Sequence, residues 1–252
     1  MNSEPCAHCS FVYRSRRSPE EVSRLKYDLI LMDADNTLYD FDASEARAIR
    51  EVLPEIGILA PDAPEVYSRL NLACWLDYNR GLITQEALRV RRFRELLDYY
   101  QVEGDPQKCT DLYSEALSRQ CIPLPGALEA VREISARLPI MVLTNGISDI
   151  QHRRFDASPL RPDLRGMLVS SETGHPKPEP HMYLQALEQF GVPASRALMI
   201  GDSLTSDILG ANRAGIDACW FNPKRAGRTE DVRIEYEIHA VSDMPAVALR
   251  AG

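Results

Sequence analysis

No stretch of the sequence reaches the roughly 18 consecutive apolar residues that a bilayer-spanning helix needs, so no membrane-spanning segment is expected. The first 25 residues carry Glu4 and no apolar core of the signal-peptide kind. Secretion is therefore not encoded there, and a cytoplasmic location is expected. Positive charge is also short: 29 Lys and Arg stand against 37 Asp and Glu, for a formal charge of −8. A chain of that sign lacks the basic face that a nucleic-acid backbone or an anionic membrane requires, so neither is expected as the main partner. A small anionic substrate is not excluded, because one lysine and a metal ion can reverse the field inside a pocket. Biased tracts are absent, and 44% apolar with 26% charged residues is the composition of a folded chain. Cysteine is sparse, at positions 6, 9, 74, 109, 121 and 219. Cys6, His8 and Cys9 could form half of a zinc site, but no second close pair follows. The scattered thiols read as buried groups in a reducing compartment.

Residues 1–26 mix Ser, Pro, Arg and Glu without period and read as a flexible N-terminal tail. Tyr27 to Met32 are apolar on nearly every position rather than alternating, which suits a strand covered on both faces in a parallel sheet. From 43 to about 120 the pattern is helical, with segments at 43–53, 65–78, one opened by Thr84 as N-cap, and 106–117. Strand patterns resume at 140–143, within 165–171, at 197–200 and 217–221, with a further candidate at 236–240, and helical stretches lie between several of them. Strands alternating with helices predict an α/β fold, a doubly wound and mostly parallel sheet interrupted by an inserted α-helical module. The expected division is a tail over 1–26, a core of 27–41 and 121–252, and a helical domain over 42–120.

The candidate reactive residues sit just past predicted strand ends: Asp33 and Asp35, Thr144 and Asn145, and Asp202. In an open parallel sheet the carboxyl ends of the strands form the crevice where ligands bind. Asp33-Ala34-Asp35 could be a polar turn, with Asp35 or Thr37 capping a helix. Two carboxylates so close repel unless a cation lies between them or one is protonated. That suits a hard metal with oxygen ligands.

Four signatures, in this order and spacing, give the chain a family likeness from about residue 27 to 245. They are Asp33-Ala34-Asp35-Asn36-Thr37-Leu38, Thr144-Asn145-Gly146, Lys177 within His175-Pro176-Lys177-Pro178-Glu179-Pro180, and Gly201-Asp202-Ser203-Leu204-Thr205-Ser206-Asp207. The chain resembles the haloacid dehalogenase-like hydrolase superfamily, in its helical-cap subclass with a Rossmann-like core. The resemblance implies a magnesium-dependent phosphomonoester hydrolase that works through an aspartyl-phosphate. Asp33 would be the nucleophile, and Asp35 would protonate the leaving alcohol and then take a proton from water. Thr144, Asn145 and Lys177 would bind the phosphate together with Asp33. Mg2+ would be held by Asp33, the backbone carbonyl of Asp35 and Asp202, with Asp207 orienting bound water or Lys177. Lys177 as a solvated surface residue fits poorly with prolines fixing the backbone on both sides. Asp207 could also cap a helix running to Ala214. The branch that cleaves carbon–halogen bonds needs neither the second acid nor the metal, so Asp35 and the Asp202/Asp207 pair favour phosphoryl chemistry.

Residues 35–42, 215–222 and 236–244 are similar to the soluble pyrimidine 5′-nucleotidases of the superfamily, including those acting on noncanonical pyrimidine monophosphates. A sugar-phosphate or broad-specificity phosphatase stays open, as does a phosphomutase. A catalytically inactive scaffold is disfavoured, since no expected reactive residue is missing. The expected partner is a small-molecule phosphate ester, with monomer and homodimer both open. The resemblance also implies a cap that closes over the site. Phe41 is the candidate contact to the leaving group. Trp75, Tyr78, Tyr99 and Tyr100 are candidates either for stacking on a base or for the helix-bundle core.

Overall fold

Strand β1, Leu29–Met32, is buried along its whole length and lies at the centre of the α/β unit. The other strands are β2 (Ile140–Thr144), β3 (Gly166–Val169), β4 (Ala197–Gly201), β5 (Asp217–Phe221) and β6 (Tyr236–Ile238). They form a six-stranded sheet in the order β3-β2-β1-β4-β5-β6, and every pairing is parallel. Leu29, Leu31, Met141, Leu143, Ala197 and Met199 pack in one cluster with Met182, Tyr183, Ile208 and Ala211 from the helical segments on that side. Ile30, Met32, Ile140, Val142, Leu198 and Ile200 alternate with them and are equally buried. Burial on both faces is why the strands read as unbroken apolar runs. Each buried Leu, Ile, Val or Met side chain contributes about 1.5–3 kcal/mol of transfer free energy.

The computed structural model describes residues 25–252, and the tail with its Cys6, His8 and Cys9 cluster lies outside them. The described chain divides into two compact units. The α/β unit takes the residues up to Leu38, Pro125–Asn145 and Pro162–Gly252, and the helical unit takes Tyr39–Leu124 and Gly146–Arg161. No helix among the described residues is long and apolar enough to cross a membrane.

The helical unit contains α1 (Phe41–Glu55), α2 (Ala63–Asn79), α3 (Gln85–Tyr100), α4 (Pro106–Ser118) and α5 (Ser148–Ala157). Thr84 caps α3 as its position predicts, accepting from the Ala87 N–H at 3.2 Å. Asp105 caps α4 in the same manner. Helix α5 carries no clear apolar period, and the sequence reading left 121–124 and 146–161 in the core. Ile147 and Ile150 join the apolar cluster of α1–α4, and both 121–124 and 146–161 fall in the helical unit. The middle of the bundle is aromatic and charged. Tyr67, Phe93 and Tyr113 lie within 5.5 Å of one another by ring centroid. Arg92 stands 4.6 Å over the Tyr113 ring and donates to Asn71, whose amide donates to Glu45.

Candidate active site

The order of the strands decides where the reactive groups meet. The chain runs outward from β1 through β2 to β3, then returns to add β4 on the other side of β1. This reversal opens a crevice beyond the carboxyl ends of β1 and β4. Met32 is in register with Val142 on one side and Ile200 on the other. Asp33 therefore leaves the sheet at the level where β4 ends in Gly201-Asp202. The Asp33 N–H donates to the Ile200 carbonyl at 3.0 Å, which fixes where the carboxylate starts.

Lys177 binds this crevice together. Its ammonium donates to Asp33 Oδ1 at 2.5 Å, to Asp207 Oδ1 at 2.7 Å and to the Leu143 carbonyl at 2.8 Å. An ammonium has three donors, and all three are used. The side chain is only 2% exposed, so the surface alternative fails. Its backbone is held as well: Lys177 N–H donates to Asn145 Oδ1, and Asn145 Nδ2 donates to the Lys177 carbonyl, both at 2.8 Å. The side chain of Asn145 is thus directed at Lys177.

Asp207 reaches inward from a single π-helical turn, Leu204–Ile208. The sequence predicts an ordinary helix from this residue. The wider turn instead lets Asp207 Oδ2 accept from the Ser203 N–H at 3.0 Å while Ser203 Oγ accepts from the Ser206 N–H at 3.2 Å. Such turns recur at functional sites. Helix α6, His181–Phe190, supplies Tyr183, whose hydroxyl shares its one proton between the carbonyls of Ser206 and Asp207 at 3.1 and 3.2 Å. Asp202 is fixed through its backbone, since Trp220 Nε1 donates to its carbonyl at 2.8 Å. Thr37 Oγ1 lies 3.5 Å from Asp202 Oδ1. Just before Thr37, Asn36 adopts φ 61°, a left-handed conformation that asparagine tolerates.

Carboxylate oxygens of Asp33, Asp202 and Asp207 all lie within 4.8 Å of one another. Residues 27–215 match the haloacid dehalogenase-like hydrolase family. The chain belongs to that family. Among relatives of this hydrolase, pyrimidine 5′-nucleotidase YjjG of Escherichia coli (strain K12) is 33% identical over 221 residues, covering 87% of this chain and 97% of that protein. Pyrimidine 5′-nucleotidase PynA of Streptococcus pneumoniae is 33% identical over 221 residues, covering 86% and 93%. The solved structure of YfnB from Bacillus subtilis, bound to magnesium, is 30% identical with a TM-score of 0.83, covering 88% of this chain and 99% of that one.

Charge explains what the hydrolase's crevice is built to hold. Burial, with Asp207 and Asp202 adding to it, pushes the Asp33 carboxyl up, while Lys177 pulls it down. Burial and then the negative Asp207 raise Asp202 to about 7, and Asp35 adds a smaller push. Burial disfavours the Lys177 ammonium, yet Asp207 and Asp33 outweigh it and its pKa rises. Three ionised carboxylates against one ammonium leave a charge of −2, and a divalent cation would cancel it. The donors are all oxygen, the set that suits Mg2+. Asp33, Asp202 and Asp207 form the acidic cluster of a Mg2+ site, in which both Asp207 oxygens are already bonded to the protein. The hydrolase is a magnesium-dependent phosphomonoesterase with a catalytic aspartate cluster.

The remaining predicted residues fall as follows. Thr144 is buried at the end of β2, and Asp35 is half-buried in the turn after β1. Phe41 begins α1 and packs against the apolar cluster of the helical unit, with the Arg154 guanidinium 5.8 Å from its ring. Trp75 and Tyr78 pack edge to face, and Tyr99 is 55% exposed. Tyr100 is partly buried against the apolar cluster of the helical unit, and Tyr67, Phe93 and Tyr113 lie within that cluster. Sequence reading missed Tyr183, Ser203 and the tether from Trp220. Only the position of Tyr183, six residues beyond Lys177 and in the first turn of α6, could have drawn attention to it.

Proposed function

We propose that this hydrolase removes phosphate from pyrimidine nucleoside 5′-monophosphates. The observation that carries the reading is the match to YjjG and PynA, each named a pyrimidine 5′-nucleotidase. A match of 221 residues is too long to be confined to the α/β unit, so it includes the helical insertion as well as the reactive core.

In this proposal an Asp33 carboxylate oxygen attacks phosphorus as the bond to the nucleoside oxygen breaks, giving an aspartyl-phosphate. Asp35 delivers its proton to the departing oxygen. The resulting Asp35 carboxylate then takes a proton from water, whose oxygen attacks phosphorus and frees both phosphate and Asp33. Thr144 donates its hydroxyl to a phosphate oxygen. The Lys177 ammonium, 2.5 Å from Asp33, favours the ionised nucleophile against the opposing push of burial and offsets phosphate charge. When bound, Mg2+ supplies further positive charge against the phosphate oxygens. Its holders are Asp33, Asp202 and the backbone carbonyl of Asp35, with Asp207 orienting Lys177. We also place the enzyme in the cytoplasm, where the buried thiols of Cys74, Cys109 and Cys219 stay reduced.

A phosphate-release screen over nucleoside monophosphates and sugar phosphates tests the substrate. Preference for UMP, dUMP or dTMP is expected. Equal rates on sugar phosphates would reduce the reading to a general phosphatase.

A further inference from the structure

The segment that carries Lys177 holds a second group of metal-ligating side chains. Its sequence is His175-Pro176-Lys177-Pro178-Glu179-Pro180-His181. Ligand atoms of His175, Glu179 and His181 lie within 4.8 Å of one another. His175 Nδ1 is 2.8 Å and His181 Nδ1 is 3.7 Å from the same atom, Glu179 Oε2. The imidazole rings stack face to face, centroids 3.5 Å apart and planes 8° from parallel. Both Nδ1 edges therefore address one carboxylate oxygen.

We propose that His175, Glu179 and His181 bind a transition-metal dication of the zinc type, clamping the Lys177 segment across its two ends. Donors on a tetrahedral zinc, with bonds of about 2.0–2.1 Å, lie about 3.4 Å apart. The observed separations of 2.8 and 3.7 Å bracket that spacing. The rings must splay from their stack to aim at a common point. Side chains between 42% and 55% exposed have room to do so. Three alternating prolines fix φ along the segment, so little chain order has to be gained on binding. Two imidazoles and one carboxylate leave a fourth position for solvent. The donor set also separates this site from the aspartate cluster: nitrogen-rich sites select zinc-like ions, and all-oxygen sites suit Mg2+. None of the three residues belongs to the phosphate or Mg2+ machinery, so the proposal stands apart from the substrate reading.

Zinc competed against a chromophoric chelator tests it, with the full chain in excess Mg2+ to occupy the aspartates. The wild-type chain is expected to take one more equivalent of Zn2+ than the His175→Ala/His181→Ala variant. Cys6, His8 and Cys9 are present in both and contribute equally to the comparison. Zn2+ should also raise the thermal midpoint of the wild type more than that of the variant. His181→Ala alone alters an exposed side chain and should lose the same equivalent if the double variant folds poorly. Mg2+-dependent phosphate release in zinc-free buffer reports that each variant is folded. Equal zinc stoichiometry in folded wild type and variant would overturn the site, whatever the substrate proves to be.

Discussion

Asp207 occupies the space that a side chain on Gly201 would fill: a Cβ there would stand 2.5 Å from the Asp207 carboxyl atoms. The last residue of β4 is therefore glycine because a carboxylate approaches its backbone. Gly201→Ala is expected to displace Asp207, leaving Lys177 without one of its three partners. Overpacking of this kind costs about 1–3 kcal/mol. Urea denaturation should register that loss, and phosphate release should fall with it. A variant with unchanged stability and turnover would remove Asp207 from the account.

Asp33→Asn keeps the shape of the side chain and removes its nucleophilic charge. Turnover is expected to fall at least about 10³-fold with the fold retained. Single-turnover phosphate release and circular dichroism check the two halves of this prediction. Near-normal turnover would mean that another residue attacks phosphorus.

Asp202 has its carboxyl raised from 3.8 to about 7, and the direction fixes a pH effect. The folded chain holds this proton more tightly than the unfolded one. The contribution to stability is full below pH 3.8 and is lost as pH rises through about 7. At about 1.4 kcal/mol per pH unit, its upper bound is about 4 kcal/mol. Without divalent metal, Asp202→Asn is expected to melt higher than the wild type at pH 8. With excess Mg2+ that order should narrow or reverse, because only the carboxylate draws stability from the cation. Thermal melts at pH 8, with chelator and with Mg2+, check this. A wild type that outlasts the variant in chelator would contradict the charge argument.

Chelation of divalent metal is expected to stop phosphate release, and added Mg2+ to restore it. Hydrolysis unaffected by rigorous chelation would count against the aspartate cluster as a cation site.

Asn145 holds both backbone groups of Lys177. Asn145→Ala leaves that N–H and C=O without these partners, at a cost of about 1–3 kcal/mol. The expected kinetic effect is a lower kcat, since the Lys177 ammonium loses its anchor. A higher KM with stability unchanged would instead make the side chain a phosphate ligand.

The α/β class was legible because strands buried on both faces must be apolar at successive positions, and Leu29–Met32 and Ala197–Gly201 are. Thr84 was legible as a cap because its role depends on a bond three residues away. Helix α5 was not, because its partners lie in helices far away in the sequence. The π turn at Leu204–Ile208 escaped for a similar reason. Its width is supported by the Ser203–Asp207 bonds and by Tyr183 from another helix, and local propensity records neither.

The sequence by itself determined which groups could react: acids at 33, 35, 202 and 207, a hydroxyl at 144 and an amine at 177. These are properties of residue type and order. Tertiary structure decided what each touches, because parallel pairing in register is what carries Asp33 and Asp202 to one sheet edge. Lys177 became a three-way tie, and Asn145 the brace of its backbone, only when distant segments closed on each other. Contact energies depend on distance in space, which the order of residues along a chain does not contain.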